Sequence, residues 1–416
     1  MRRLGFLMAG LMIAVAMIDY GCSKATSPYL NTPTSTAPLS STDKAVESAN
    51  NSFSTTLFNQ VSAQNNGKNF FISPLSVSMA LAMTLNGASG QTYAQMQNTL
   101  GLTGMSNAEI NQSYQNLIAM FKALDPNVTF DIANSIWYRN TFPVLDSFVT
   151  TNSTYFNAKV AALNFDSPTA VNTINGWVNS NTDGLIPGIL SGPIPPSAVM
   201  YLINALYFHG TWEYKFPDAA TKFETFYLAG GGTESDSMMT LNDTLNYYSD
   251  QNFTAVELPY GNGGYSMVVL LPTIAITSGN PIPPLSQSEL NSIFAGFKPT
   301  DLNVTLPKFK LGYSIDLDSI LAVMGMPDAF VPQEADFSRI SPQSGLYVTS
   351  VLHKTYIDVN EAGTKAAAVT SIGIGMTIAM PIPPSFDADR PFIFLIKENH
   401  NNTIMFMGAV TQPSAE

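Results

Sequence analysis

Residues Glu361 to Pro381 read EAGTKAAAVTSIGIGMTIAMP, a composition that no ordinary element has. Small residues that pack little dominate its start. From there it alternates with period two. Thr364, Ala366, Ala368, Thr370, Ile372, Ile374, Met376 and Ile378 fall on one face, and Lys365, Ala367, Val369, Ser371, Gly373, Gly375 and Thr377 on the other. No proline interrupts Thr364 to Met380, so the segment can join a sheet as an inner strand. A plain hairpin strand accounts for the alternation but not for the alanine run or the spaced glycines, which lower strand propensity. A segment able to be either loop or strand accounts for both, with Gly363 supplying backbone freedom for the bend.

Outward from this stretch, the second half of the chain is rich in strand signals. Tyr265 to Leu271, Leu302 to Leu306, Tyr347 to Val359, Pro391 to Ile396 and Ile404 to Val410 are apolar or alternating runs. Asp131 to Tyr138 and Val199 to Phe208 add two more, the latter reading as a strand buried on both faces. Helical signals concentrate earlier. Ser73-Pro74 reads as a cap with proline in the first turn, ahead of Leu75, Met79, Leu81, Ala82 and Leu85. Val171, Ile174, Trp177 and Val178 recur at helical spacing, and Ile315 to Met326 predicts a further helix. Helices early and strands late argue for an α+β fold rather than repeated βαβ units. No second linker or repeat follows Thr42, so one large domain over 44–416 is expected.

The N-terminus differs in kind. Arg2 and Arg3 precede an apolar run, Leu4 to Ile18, which is short for a membrane span and the size of a signal-peptide core. Cys22, the only cysteine, follows Gly21. A signal peptide over 1–21 with Cys22 as a lipid-attachment residue is expected, although Asp19 stands where such signals usually carry leucine; an ordinary signal peptide is the alternative. Residues 22–43, rich in Ser, Thr and Pro, read as a tether. The chain is thus expected to be exported, either lipid-anchored to a cell envelope or extracellular, with membrane contact only through that lipid.

Composition and motifs exclude more than they suggest. The net charge is −12, and only 12% of residues are charged, against about 25% in typical domains. Lys and Arg do not cluster after Arg3, which disfavours nucleic acid. The three histidines, His209, His353 and His400, have no neighbours at metal-ligand spacing, so no metal or other cofactor is expected. No Gly-x-Ser-x-Gly elbow, P-loop or dinucleotide fingerprint occurs. A conventional enzyme has little support.

Ordered blocks along the chain carry a resemblance. They begin with Asn69-Phe-Phe-Ile-Ser-Pro-Leu-Ser76, Gly87-Ala-Ser-Gly90, Ala133-Asn-Ser-Ile-Trp137 and Asn175-Gly-Trp-Val178. Leu202-Ile-Asn-Ala-Leu-Tyr-Phe-His-Gly-Thr-Trp212 with Phe216, Glu257-Leu-Pro-Tyr260, Leu306-Pro-Lys-Phe309 and Met324-Gly-Met-Pro-Asp-Ala-Phe330 come next. Ala388-Asp-Arg-Pro-Phe-Ile-Phe-Leu-Ile396 and Phe406-Met-Gly408 close the series. Together they resemble the serpin family. The resemblance implies an α+β fold with three β-sheets, a cluster of helices and an exposed reactive loop. It also implies a monomeric suicide inhibitor of serine or cysteine endopeptidases, whose cleaved loop inserts into the central sheet. A non-inhibitory serpin used for binding or as a structural surface protein is the alternative.

Carried over by motif, Glu361, Gly363, Thr364, Ala366, Ala367, Ala368 and Thr370 match the insertion hinge. Val369 departs, since the family prefers a smaller residue there, and Ala362 replaces a usual polar one. Ser73, Ser76, Asn204, Trp212 and His353 match residues that control sheet opening. The residue before the cut is Thr377 when counted from Gly363 and Met380 when counted back from Arg390. Met376, Thr377, Ile378, Ala379 and Met380 are therefore the candidates, the last disfavoured by Pro381. No Lys, Arg or Asp lies between Ala366 and Pro384, so an elastase-, chymotrypsin- or subtilisin-like target is expected.

Overall fold

Ser73 takes an extended conformation and its hydroxyl accepts the Ser76 N–H, so the chain turns into a helix at Pro74, as the Ser-Pro pair predicts. That helix lies in a computed structural model that describes residues 38–277, 282–364 and 383–414. The expected signal segment, Cys22, and the loop residues Ala366, Ala367, Ala368, Thr370 and Met376 to Met380 lie outside the described residues.

The helices are α1 (Ser41–Gln64), α2 (Pro74–Leu85), α3 (Gly90–Thr99), α4 (Asn107–Ala123), α5 (Asp146–Phe156), α6 (Ala170–Asn181), α7 (Gln287–Gly296) and α8 (Asp318–Met324). The expected tether boundary at residue 43 falls inside the first turn of α1. Ser40 and Asp43 form a capping box there, each side chain taking the other's backbone N–H, and this starts the helix at Ser41. The helix expected over Ile315 to Met326 is shorter. Ile315 pairs with His353 in a ladder instead, and helical turns begin only at Asp318.

The strands are β1 (Phe70–Ile72), β2 (Val128–Arg139), β3 (Lys159–Leu163), β4 (Met200–Thr211), β5 (Lys222–Tyr227), β6 (Thr233–Ser249), β7 (Phe253–Tyr260) and β8 (Tyr265–Pro272). After them come β9 (Lys298–Pro307), β10 (Phe309–Asp316), β11 (Leu352–Asn360), β12 (Gly363–Thr364), β13 (Ser385–Asp387), β14 (Phe392–Glu398) and β15 (Ile404–Val410). One sheet has the order β10-β11-β12-β4-β2-β3. The rest form a continuous ladder, β1-β15-β14-β8-β7-β6-β9-β13, with β5 added on β6. Two of the three expected sheets are continuous here because β6 is 17 residues long: its first part pairs with β5 and its last part with β7.

The six-stranded sheet is covered on both faces. On one side β8, β14 and β15 are buried at every position and, with α2, fill the main core. On the other, Ile174 and Val178 of α6 pack with Trp137, Ile203, Ile186 and Ile189. The strand expected from Tyr347 begins only at Leu352. β4 and β11 flank β12, whose two residues reach only Val359 and Asn360, so Leu352 to Asp358 are held by β10 alone; that ladder ends at Asp316 opposite Leu352, and residues 347–351 have no ladder partner among the described residues.

Candidate functional site

The site begins where β12 enters the six-stranded sheet. Gly363 pairs with Thr211 of β4 and Asn360 of β11, and Thr364 with Gly210 and Val359. Gly363 has φ +146, which favours glycine, and a Cβ there would lie 2.6 Å from Thr211 Cα and closer still to the Gly210 carbonyl oxygen. Gly210 is needed in turn, because its own Cβ would press on the Tyr260 ring at 2.9 Å. Gly363→Ala is therefore expected to destabilise the protein by about 2–3 kcal/mol. A fall in the denaturant midpoint at unchanged m checks this, and an unchanged midpoint refutes the tight docking of β12.

Thr364 is buried, and its hydroxyl shares a 2.7 Å hydrogen bond with the Tyr260 hydroxyl. Burial holds the Tyr260 phenol above its ordinary pKa, the Thr364 bond opposing only weakly, so Tyr260 stays neutral. Trp212 stacks on Tyr260 with centroids 4.3 Å apart and donates Nε1–H to the Asn360 carbonyl at 2.9 Å; its backbone N–H donates to Ala362 O. Glu361 is gripped from outside. Lys308 Nζ lies 2.9 and 3.1 Å from its two oxygens, and the Thr221 hydroxyl donates at 2.8 Å. Burial works against ionisation, yet the Lys308 and Thr221 hydrogen bonds prevail and hold the Glu361 carboxyl below its ordinary pKa.

Farther along the same interval, the first turn of α2 bridges β11 and β4. The Ser73 N–H donates to His353 Nε2 on β11 at 3.0 Å, and the Ser73 hydroxyl donates to Met405 O on β15 at 2.9 Å. The Ser76 hydroxyl donates to the Asn204 carbonyl on β4 at 3.4 Å. Asn204 Nδ2 donates to Asn134 Oδ1 at 2.6 Å, while its Oδ1 finds no hydrogen-bond partner among the described residues. Burial lowers His353 to a pKa of about 4, so the ring is neutral and Nε2 is free to accept.

Two cavities lie along the interval between β4 and β11. A small one of about 20 Å³ sits beside Thr364, lined by Leu206, Phe208, Thr355 and Ile357 among others. A larger one of about 160 Å³ lies beyond it, lined by Met200, Leu202, Thr349 and Val351 among others. Among the described residues no cluster of three or more His, Cys, Asp or Glu could hold a metal ion.

The structure thus gathers all eight described candidates, Glu361, Gly363, Thr364, Ser73, Ser76, Asn204, Trp212 and His353, along one strand interval. Sequence reading assigned no role to Tyr260, Lys308, Gly210, Asn134 or Thr221. Tyr260, Lys308, Gly210 and Asn134 lie inside blocks already singled out, and that was the available signal; Thr221 lies outside them.

The family model described as Serpin (serine protease inhibitor) matches residues 48–413. Human leukocyte elastase inhibitor is 34% identical over 380 residues, covering 88% of this chain and 99% of the relative. Human Serpin B11 is 31% identical over 396 residues, covering 89% and 100%. Among solved structures, the thermophilic serpin tengpin in its native state superposes with a TM-score of 0.79 at 36% identity, covering 91% of this chain and 96% of that one.

Proposed function

From the premise that this chain belongs to the serpin family, as a protease inhibitor and not an enzyme, we propose that it traps its target by insertion of a cleaved loop between β4 and β11. The target is an elastase-like serine endopeptidase with apolar or small-residue preference; the relative named leukocyte elastase inhibitor and the uncharged segment Ala366 to Pro384 both support this. The protease serine attacks the carbonyl carbon of one residue in Met376 to Met380. The peptide C–N bond breaks, the new amine leaves on the segment that leads to Ser385, and the attacked residue remains as an ester on the protease. Insertion carries that ester away from the water that would hydrolyse it.

One observation carries this reading: the hinge already occupies the first two positions of a strand interval whose lining matches the residues after Thr364. Continuing the register of β12 sets Ala366 between Phe208 and Ile357, and Ala368 between Leu206 and Thr355, where the cavity is small. Thr370 then falls between Asn204 and His353, polar beside polar. Ile372 and Ile374 reach Leu202, Val351, Met200 and Thr349, the lining of the larger cavity. The Thr364 face, which meets Tyr260, is thus the core face. Val369, which departs from the family pattern, would fall on the opposite face, toward α6. Each new ladder bond adds about 1 kcal/mol net, and the isoleucines add apolar burial. A non-inhibitory serpin would need no such match. Export and lipid attachment at Cys22 belong to the same reading and are supported by Arg2, Arg3 and the run Leu4 to Ile18.

Incubation with pancreatic elastase or chymotrypsin, followed by denaturing electrophoresis, is expected to show a covalent complex at the summed mass. Mass spectrometry of the released C-terminal fragment is expected to place the cut within Met376 to Met380. Cleavage without any complex would sink the inhibitory mechanism.

A further inference from the structure

Single exposed apolar side chains are ordinary on protein surfaces. β5 presents two, aligned. Phe223 is 76% exposed, the most exposed of the large apolar side chains among the described residues, and Tyr227 is 54% exposed. Both are odd-numbered positions of one strand, so with Thr225 between them they form a single outward stripe, while Phe226 turns the other way into the core. The cross-strand neighbours on that face, Ser237, Ser235 and Thr233 of β6, are small and leave the two rings standing clear.

The location of the stripe gives it meaning. At one end, Thr221 donates to Glu361, the upstream root of the loop. At the other, the Tyr227 N–H donates to the Asp389 carbonyl at 2.8 Å, just past β13, the downstream root. β5 therefore spans the two roots of the segment offered for cleavage. Chain length brings a bound protease to the same place. Met380 lies five residues before Ser385, a reach of at most about 17 Å, and Met376 nine residues, about 31 Å. A protease of about 230 residues has a radius of gyration near 17 Å. Seated on the candidate bonds nearest Met380, its body comes within contact of the surface between the roots.

We propose that Phe223, Thr225 and Tyr227 form a second docking surface for the target protease, gripping an apolar patch beside its active-site cleft while the loop fills the cleft. The inference rests on the inhibitory reading above and adds to it a determinant of target choice outside the loop. Strand pairing with a second copy of this chain is disfavoured. β5 pairs only with β6 among the described residues, and its exposed Lys222 and Glu224 place charges along the free edge, a common guard against edge-to-edge association. Two exposed aromatics at the centre of a protein–protein contact are typical anchors.

The test compares the full chain with Phe223→Thr/Tyr227→Thr, which keeps strand propensity, and with Thr225→Arg, which keeps both rings but obstructs the stripe. Second-order rates of complex formation are measured with pancreatic elastase and chymotrypsin, thermal midpoints are checked for equality, and oligomeric state is read by light scattering. A fall in rate of roughly 10-fold or more in both variants against at least one protease, with the covalent complex still formed, is expected. Wild-type rates in both variants, with wild-type complex forming, overturn the docking surface and leave the inhibitory reading intact. A dimeric wild type that becomes monomeric in the variants at unchanged rate assigns the stripe to a second copy and overturns it as well. Failure of the wild type to form any complex overturns the reading beneath it.

Discussion

Thr364→Arg is expected to convert the protein from inhibitor to substrate: the loop is still cut, and the covalent complex falls below detection. Thr364 is the second residue of β12, buried, on the core face, with its hydroxyl on Tyr260. Any strand that inserts beyond it must carry this side chain inward. A guanidinium there loses its hydration and meets a neutral phenol and a stacked indole rather than a carboxylate. Arginine is expelled from the position that Thr364 fills between β4 and β11, so carrying it back in adds about 3 kcal/mol to the insertion barrier and slows insertion roughly 100-fold, while acyl-enzyme hydrolysis is untouched. The race is then lost to water. Moles of inhibitor consumed per mole of protease inactivated, with denaturing electrophoresis, measure the partition. Thr364→Ser, which keeps the hydroxyl, is expected to retain the complex. Full complex formation by Thr364→Arg would show that insertion does not begin at β12.

Acid is expected to weaken the clasp between α2 and β11. Burial sets His353 at about 4 in the folded protein against an ordinary value near 6.5, so its contribution to stability is complete above pH 6.5. It is lost progressively as pH falls from 6.5 to 4, a loss of about 3 kcal/mol. The cause is burial, and protonating Nε2 would also cost the hydrogen bond it accepts from the Ser73 N–H. Glu47 acts with the opposite sign. Burial first, and then the Glu398 charge, raise it to about 8, so its carboxyl favours the folded state at low pH and loses that advantage as pH rises from about 4.5 to 8. Wild-type stability alone therefore mixes two slopes. The difference between wild type and His353→Asn isolates the histidine. Chemical unfolding of both at pH 7 and pH 4.5 is expected to show wild type losing more across that interval by about 2–3 kcal/mol. Parallel profiles would remove His353 from the clasp's pH response.

Much of this was legible in sequence, wherever the signal is local. The Ser73-Pro74 cap, β15 at Ile404–Val410 and the buried run of β8 arise from capping chemistry and strand patterning within a few residues. Boundaries that depend on distant partners were not. The end of β10, which draws Ile315 out of the helical pattern, is decided by His353 across the ladder. The late start of β11 at Leu352 is set by the end of β10 at Asp316 across the ladder, which no local propensity encodes. The grip of Lys308 and Thr221 on Glu361 likewise joins segments far apart in the chain.

The segment after Glu361 shows the division most clearly. Sequence by itself determined that from Gly363 it alternates with period two, opens with small residues, carries no charge after Lys365 and meets no proline before Pro381. Those are properties of side chains along one strand, and they are enough to make it both loop and strand. Only the tertiary structure decided where that strand belongs. Gly363 and Thr364 meet Gly210 and Thr211 from one side and Asn360 and Val359 from the other. Tyr260 receives the threonine, and α2 spans the interval ahead. Sheet pairing is made through backbone groups that every residue carries alike, so register between distant strands leaves no local mark in the sequence and is settled only when the core faces are packed together.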